Sequence, residues 1–142
     1  MFRIPSFKRI LCVDDEEIFR VAISKILEKD GLEVKAVTDT EAIAAALEFK
    51  PDMILLDVQM PKFDGFQLFE IIRNTETISR TPIVFITGVE DEKQLNSYLK
   101  RGACGVIPKP LNLSRLACAL GVIWHHHQMA FPQFVYNFLH RG

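Results

Sequence analysis

The sequence predicts an α/β protein with a doubly wound, five-stranded parallel sheet. A short apolar run recurs five times along the chain, and an amphipathic stretch follows each run. Three of these runs are almost continuously apolar, which is typical of strands covered by helices on both faces. Strands that alternate with helices at this interval favour right-handed βαβ units and therefore a parallel sheet.

The five strands and their helices can be placed in order. After each strand, apolar side chains spaced three or four residues apart predict a helix. Gly31 and Pro51 mark the ends of the first two helices, and Asn112 is a suitable N-cap for the fifth. The predicted strands are Ile10 to Val13, Leu32 to Val37, Met53 to Leu56, Ile83 to Ile86 and Val106 to Ile107.

The end of the chain does not continue the alternation of strands and helices. We therefore divide the chain into a main domain, residues 1–121, and a C-terminal helical extension, residues 122–142. Apolar residues in the extension recur with helical spacing, and Pro132 stands where the first turn of a helix accepts it. We therefore predict a sixth helix with an aromatic face, which either packs on the domain or forms a dimer or partner surface. The face comprises Phe131, Phe134, Val135, Phe138 and Leu139.

Composition excludes several classes of protein. The net charge is −1, from 17 basic and 18 acidic residues, and the basic residues are dispersed, which argues against a nucleic-acid surface. No apolar run near the start is long enough for a signal peptide or a membrane span. Three widely spaced cysteines indicate neither a disulfide framework nor a zinc site. We expect a cytoplasmic protein without nucleic-acid or membrane partners.

Polar residues of suitable chemistry follow four of the strands. Asp14 and Asp15 follow the first, Asp57 the third, Thr87 the fourth and Lys109 the fifth. In an open parallel sheet these positions share the edge where ligands bind. Three converging carboxylates repel one another, and Mg²⁺ is the usual hard cation that relieves such repulsion. With Mg²⁺ and protonated Lys109 the formal charges cancel, and an aspartate at such a site is a competent nucleophile toward phosphorus.

Four motifs together resemble the receiver domains of two-component response regulators, over about residues 7 to 121. The joint occurrence of the motifs, in order and at strand ends, is highly specific. The resemblance implies a flavodoxin-like sheet with strand order 2-1-3-4-5. The motifs are Val13-Asp14-Asp15-Glu16, Leu56-Asp57-Val58-Gln59-Met60-Pro61 with Asp64-Gly65, Phe85-Ile86-Thr87-Gly88 and Pro108-Lys109-Pro110.

The resemblance also implies a role for each matching residue. Asp57 would be the phosphoacceptor, receiving its phosphoryl group from a sensor histidine kinase or a phosphotransfer protein. Asp15, Asp57 and the backbone carbonyl of Gln59 would hold Mg²⁺, or alternatively Mn²⁺, with Asp14 acting through a water molecule.

Two further residues complete the implied site. Lys109 would pair with the phosphoryl oxygens, and its bond to Pro110 would be cis, which an X-Pro bond accommodates at low cost. Thr87 would be the switch hydroxyl that moves toward the phosphate.

The resemblance further implies that the protein signals through protein-protein interaction. It would catalyse only its own phosphoryl transfer and slow autodephosphorylation.

One position departs from the family pattern, which usually has an aromatic residue in the fifth strand where this chain has Val106. Valine is stiff about χ1 and has no ring to reorient, so an interaction or dimerisation module without phosphorylation is the alternative function. A homodimer through the C-terminal extension is compatible with either function, the phosphorylated receiver or the non-phosphorylated module. An aspartate-nucleophile phosphohydrolase would need an acid two residues after Asp57, where Gln59 stands, which argues against that class.

Overall fold

The computed structural model describes residues 7–88, 92–128 and 134–135. All strand pairs are parallel, and the strand order is β2-β1-β3-β4-β5-β6. The order 2-1-3-4-5 implied for the first five strands is therefore confirmed. The strands are β1 (Arg9–Val13), β2 (Glu33–Val37), β3 (Met53–Asp57), β4 (Ile83–Thr87), β5 (Gly105–Pro108) and β6 (Phe134–Val135).

Within the residues that the structure describes, five α-helices cover the two faces of the sheet. Because side chains alternate across a strand, β1 gives Leu11 and Val13 to one core and Ile10 and Cys12 to the other. The first core is covered mainly by α2 and α3, and the second by α1 and α5. The helices are α1 (Glu17–Lys29), α2 (Ala42–Phe49), α3 (Gly65–Arg73), α4 (Glu92–Lys100) and α5 (Leu116–Gln128).

The central strands explain why the sequence forms this sheet. Every residue of β3 and β4 is buried, including Asp57 and Thr87 at their carboxyl ends.

Helix α3 begins with a reciprocal capping box, in which Gln67 N donates to Asp64 Oδ1 at 2.8 Å and Asp64 N donates to Gln67 Oε1 at 2.9 Å. This cap fixes where the chain turns after β3.

The predicted C-terminal helical extension is confirmed at residues 122–128, but the prediction differs from the structure at residues 134–135. Helix α5 continues past residue 121, with Ile123 fully buried and the Trp124 ring 5.5 Å from that of Phe7. The prediction of a helix is wrong at Phe134–Val135, which form β6 against the edge of β5. An open sheet edge offers backbone partners that a periodic pattern does not reveal. The other residues of the predicted sixth helix lie outside the described residues.

Within the described ranges, none of the helices is both long enough and apolar enough to cross a bilayer. The division of the chain at residue 121 stays a prediction.

Candidate functional site

The strand register brings the predicted site residues to one edge of the sheet. Asp57 pairs with Ile86 across β3 and β4, and Thr87 pairs with Pro108 across β4 and β5. Lys109 N donates to Thr87 O at 2.7 Å, so the backbone of Lys109 is tied to the end of β4. The Lys109-Pro110 bond is cis, as the resemblance implies.

Three carboxylates converge at this edge. One carboxylate oxygen from each of Asp14, Asp15 and Asp57 lies within 4.8 Å of the other two. Asp14 and Asp57 are almost fully buried, whereas Asp15 is exposed. Burial and the neighbouring Asp57 carboxylate raise the pKa of Asp14 to about 6, against the opposing hydrogen bond from Glu16 N. The cluster therefore stores electrostatic repulsion that a cation would relieve.

The hydrogen bonding of Asp14 is incomplete. Its Oδ1 accepts from Glu16 N at 2.9 Å, while its buried Oδ2 has no hydrogen-bond partner within the described part of the chain. A buried carboxylate oxygen without a donor is costly unless a cation or water satisfies it. An all-oxygen donor set of this charge suits a hard divalent cation such as Mg²⁺. The residues present fit that ion.

Asp57 lies between donors and the other carboxylates. Its Oδ1 accepts from Gln59 N at 3.3 Å and lies 3.4 Å from Lys109 Nζ. Burial raises the pKa of Asp57, and the Lys109 charge and the Gln59 hydrogen bond offset only part of that effect. The Asp57 carboxylate is thus desolvated and paired with the Lys109 ammonium, an environment suited to a nucleophile.

An open depression gives access to this edge. It has a volume of about 630 Å³ and is lined partly by Asp15, Gln59 and Asp64. The backbone carbonyl proposed from the resemblance as a metal ligand belongs to the exposed residue Gln59.

Gly65 is required by sterics at the start of α3, beside the carboxyl end of β3. Its backbone N donates to Val58 O at 2.9 Å. A Cβ at this position would lie 2.7 Å from Asp57 O and 2.8 Å from Val58 Cα, closer than real contacts allow. The absence of a side chain therefore lets α3 begin directly against the backbone that carries Asp57. The motif includes Gly65, but the motif alone does not give this reason.

The atypical position Val106 is fully buried in β5 and pairs with Phe85 of β4. Aromatic side chains in this part of the core come from β4 and α3 instead. The Phe85 ring lies 5.4 Å from that of Phe66 and 5.5 Å from that of Phe69. Thr87, two residues after Phe85, is fully buried at the end of the same strand.

A fourth carboxylate, missed by sequence reasoning, lies after β2 and has a different character. Asp39 Oδ2 accepts from Lys62 N and Phe63 N, each at 3.0 Å, and its Oδ1 accepts from Thr40 N at 2.9 Å. Burial alone would raise the pKa of Asp39, but these backbone donors together lower it. Asp39 is a satisfied structural anion that anchors the loop before α3, unlike Asp14.

The family profile of the response regulator receiver domain matches residues 10–120. The chain belongs to this receiver family. A solved structure of the chemotaxis response regulator CheY4 of Vibrio cholerae supports the assignment. Our chain is 30% identical to CheY4 and superimposes on it with a TM-score of 0.76. The match covers 83% of our chain and 99% of the CheY4 chain.

Curated relatives are longer proteins. The receiver is 37% identical to a protein-glutamate methylesterase/protein-glutamine glutaminase of Archaeoglobus fulgidus, over 72% of this chain and 30% of the relative. It is 32% identical to the alkaline phosphatase synthesis transcriptional regulatory protein PhoP of Bacillus subtilis, over 88% of this chain and 52% of the relative. The chain thus spans about a third to a half of the length of these two relatives.

Proposed function

We propose that this receiver accepts a phosphoryl group on Asp57 from a phosphohistidine of a sensor histidine kinase or phosphotransfer protein. The observation that carries the proposal is the position of Asp57, which is buried beside two carboxylates within 4.8 Å and is 3.4 Å from Lys109 Nζ. One oxygen of Asp57 forms a bond to phosphorus while the phosphorus-nitrogen bond of the donor breaks. The imidazole leaves with its electron pair and takes up a proton. The product is an acyl phosphate.

Asp15, Asp57 and the Gln59 backbone carbonyl would hold Mg²⁺ or Mn²⁺ directly, with Asp14 acting through water. When bound, the cation neutralises negative charge on the carboxylates and on the transferring phosphoryl oxygens. The support for this assignment is the raised pKa of Asp14 together with its Oδ2 atom, which has no hydrogen-bond partner among the described residues.

Lys109 and Thr87 would act on the phosphoryl group. The Lys109 ammonium already faces Asp57 and would pair with a phosphoryl oxygen once the acyl phosphate forms. The Thr87 hydroxyl would donate a hydrogen bond to another oxygen, and its movement would be the switch. Because Val106 carries no ring, the response would pass through the backbone and the loop after β4 rather than through an aromatic rotamer.

The output would be binding to a protein partner, with no catalysis beyond phosphoryl transfer to the chain itself and slow autodephosphorylation. We place the protein in the cytoplasm, without nucleic-acid or membrane contacts of its own. The C-terminal extension, residues 122–142, is proposed as a surface for a homodimer or for that partner.

Incubation with Mg²⁺ and acetyl phosphate tests the function. The wild-type chain should gain one phosphoryl group by intact-mass measurement, and Asp57→Asn should gain none. Asp30→Asn, which changes an exposed aspartate at the end of α1, is the matched control and should react like the wild type. If the wild type stays unmodified with acetyl phosphate and with a panel of kinases, the non-phosphorylated interaction module replaces this proposal.

A further inference from the structure

The Lys109 side chain has an aromatic neighbour as well as a carboxylate. On one side, Nζ lies 3.4 Å from Asp57 Oδ1, and on another it lies over the Phe19 ring, 5.2 Å from the ring centroid. This separation is within the range of a cation-π interaction, in which the negative face of the ring attracts the ammonium. Phe19 belongs to α1 and was not among the residues that the sequence motifs indicate.

The Phe19 ring is itself held in place. It is half-buried and packs against the core beneath α1 and α5. Its neighbour Ile18 is 86% exposed, so the two successive apolar residues have different environments. A ring fixed by the core can orient a mobile partner, and the four-carbon stem of lysine is such a partner.

We propose that Phe19 is a positioning residue for Lys109, holding the ammonium at the phosphoryl site both before and after Asp57 reacts. This inference rests on the proposed function of Asp57 as phosphoacceptor. Before reaction the Asp57 carboxylate attracts the ammonium directly. Once the acyl phosphate forms, the ammonium exchanges that carboxylate for the phosphoryl oxygens, whereas the aromatic contact is unchanged by the chemistry.

Two substitutions at Phe19 separate the ring from mere apolar bulk. Phe19→Leu keeps an apolar side chain and removes the π face, while Phe19→Tyr keeps the face. With acetyl phosphate and saturating Mg²⁺, we expect Phe19→Leu to slow phosphorylation about three- to tenfold, in line with a partly exposed cation-π contact. Phe19→Tyr should remain within about twofold of the wild type, and the control Ile18→Ala should be unchanged.

A second readout tests the contact without phosphorylation. In proton NMR spectra, the ring current of Phe19 should shift the Lys109 side-chain methylene resonances upfield. Phe19→Leu should remove this shift, and Phe19→Tyr should keep it. Denaturant unfolding of each variant, under the assay conditions, ensures that the rates compare folded proteins.

The outcomes distinguish the inference from the function on which it rests. A wild type that acetyl phosphate and kinases leave unmodified contradicts the phosphoacceptor role of Asp57, whatever the NMR spectra show. A phosphorylated wild type with an equally fast Phe19→Leu variant overturns the positioning role. Equal slowing by Phe19→Leu and Phe19→Tyr also overturns it, because the defect would then not depend on the ring.

Discussion

The substitution Asp14→Asn should stabilise the metal-free protein at neutral pH while weakening its binding of Mg²⁺. Asparagine removes the buried charge and its repulsion by Asp57, and its amide oxygen can still accept the hydrogen bond from Glu16 N. The raised pKa gives the direction of the effect. In the folded chain Asp14 keeps its proton up to a pH of about 6, whereas its ordinary value is 3.8.

The magnitude follows from this difference in pKa. Between these two pH values the folded state binds a proton that the unfolded state has released, so the stability of the wild type falls as pH rises. A shift from 3.8 to about 6 corresponds to at most about 3 kcal/mol. Because the site opens to water beside exposed Asp15, screening lowers the expected gain for Asp14→Asn at pH 7.5 to about 1–2 kcal/mol. Below a pH of about 4 the electrostatic part of this gain should vanish, because Asp14 is then protonated in both states.

Asp39→Asn is the matched control, because Asp39 is also buried but is satisfied by three backbone donors. The asparagine amide replaces one acceptor oxygen with a donor that faces backbone N–H groups. We therefore expect Asp39→Asn to lower the free energy of unfolding by about 1–3 kcal/mol. Its lowered pKa gives the opposite pH dependence: Asp39 contributes stability above its unfolded pKa and loses it as the pH falls through the folded value.

Urea unfolding at several pH values, first with a chelator and then in a Mg²⁺ titration, measures these effects. Binding to the folded state alone raises the unfolding free energy as the ligand concentration exceeds its Kd. Mg²⁺ should therefore stabilise the wild type and Asp39→Asn more than Asp14→Asn. If Asp14→Asn lowers metal-free stability as Asp39→Asn does, Asp14 is a structural carboxylate and the reasoning fails.

Two further predictions concern packing around the site. Gly65→Ala should lower the free energy of unfolding by about 1–3 kcal/mol, because its Cβ would meet backbone atoms. Gly88→Ala should change that free energy by less than about 0.5 kcal/mol, because its Cβ would meet no atom of the described residues within 4 Å. Equal effects of the two substitutions in denaturant unfolding would contradict the steric argument. Val106→Phe should cost about 1–3 kcal/mol by overpacking a fully buried position, and a neutral result by thermal unfolding would mean that the core retains space for an aromatic ring.

The sheet could be predicted from the sequence because its signals are local. The nearly continuous apolar run from Met53 to Leu56 marks a buried parallel strand. The rule that ligands bind at the carboxyl ends of strands then brings Asp14, Asp57 and Lys109 together. The observed register places these residues at one edge, within the distances given above. This part of the site depends on topology more than on side-chain detail.

The features that sequence reasoning missed depend on contacts between distant segments. Asp39 looks like a turn residue until the loop at Lys62 donates to it, and Phe19 looks like an ordinary core residue until Lys109 lies over its ring. The helix predicted around Phe134 has the correct spacing for an amphipathic helix. Its aromatic and β-branched residues also suit a strand, and the available edge of β5 selects that alternative.

The most direct test of the central claim locates the phosphoryl group. After reaction with acetyl phosphate and Mg²⁺, borohydride reduction converts an aspartyl phosphate to homoserine, which peptide mass spectrometry can assign to one position. We expect homoserine at position 57 alone, and none when a chelator removes the cation. A stable modification on another residue, or no homoserine at position 57 in a chain that has gained a phosphoryl group, would contradict it.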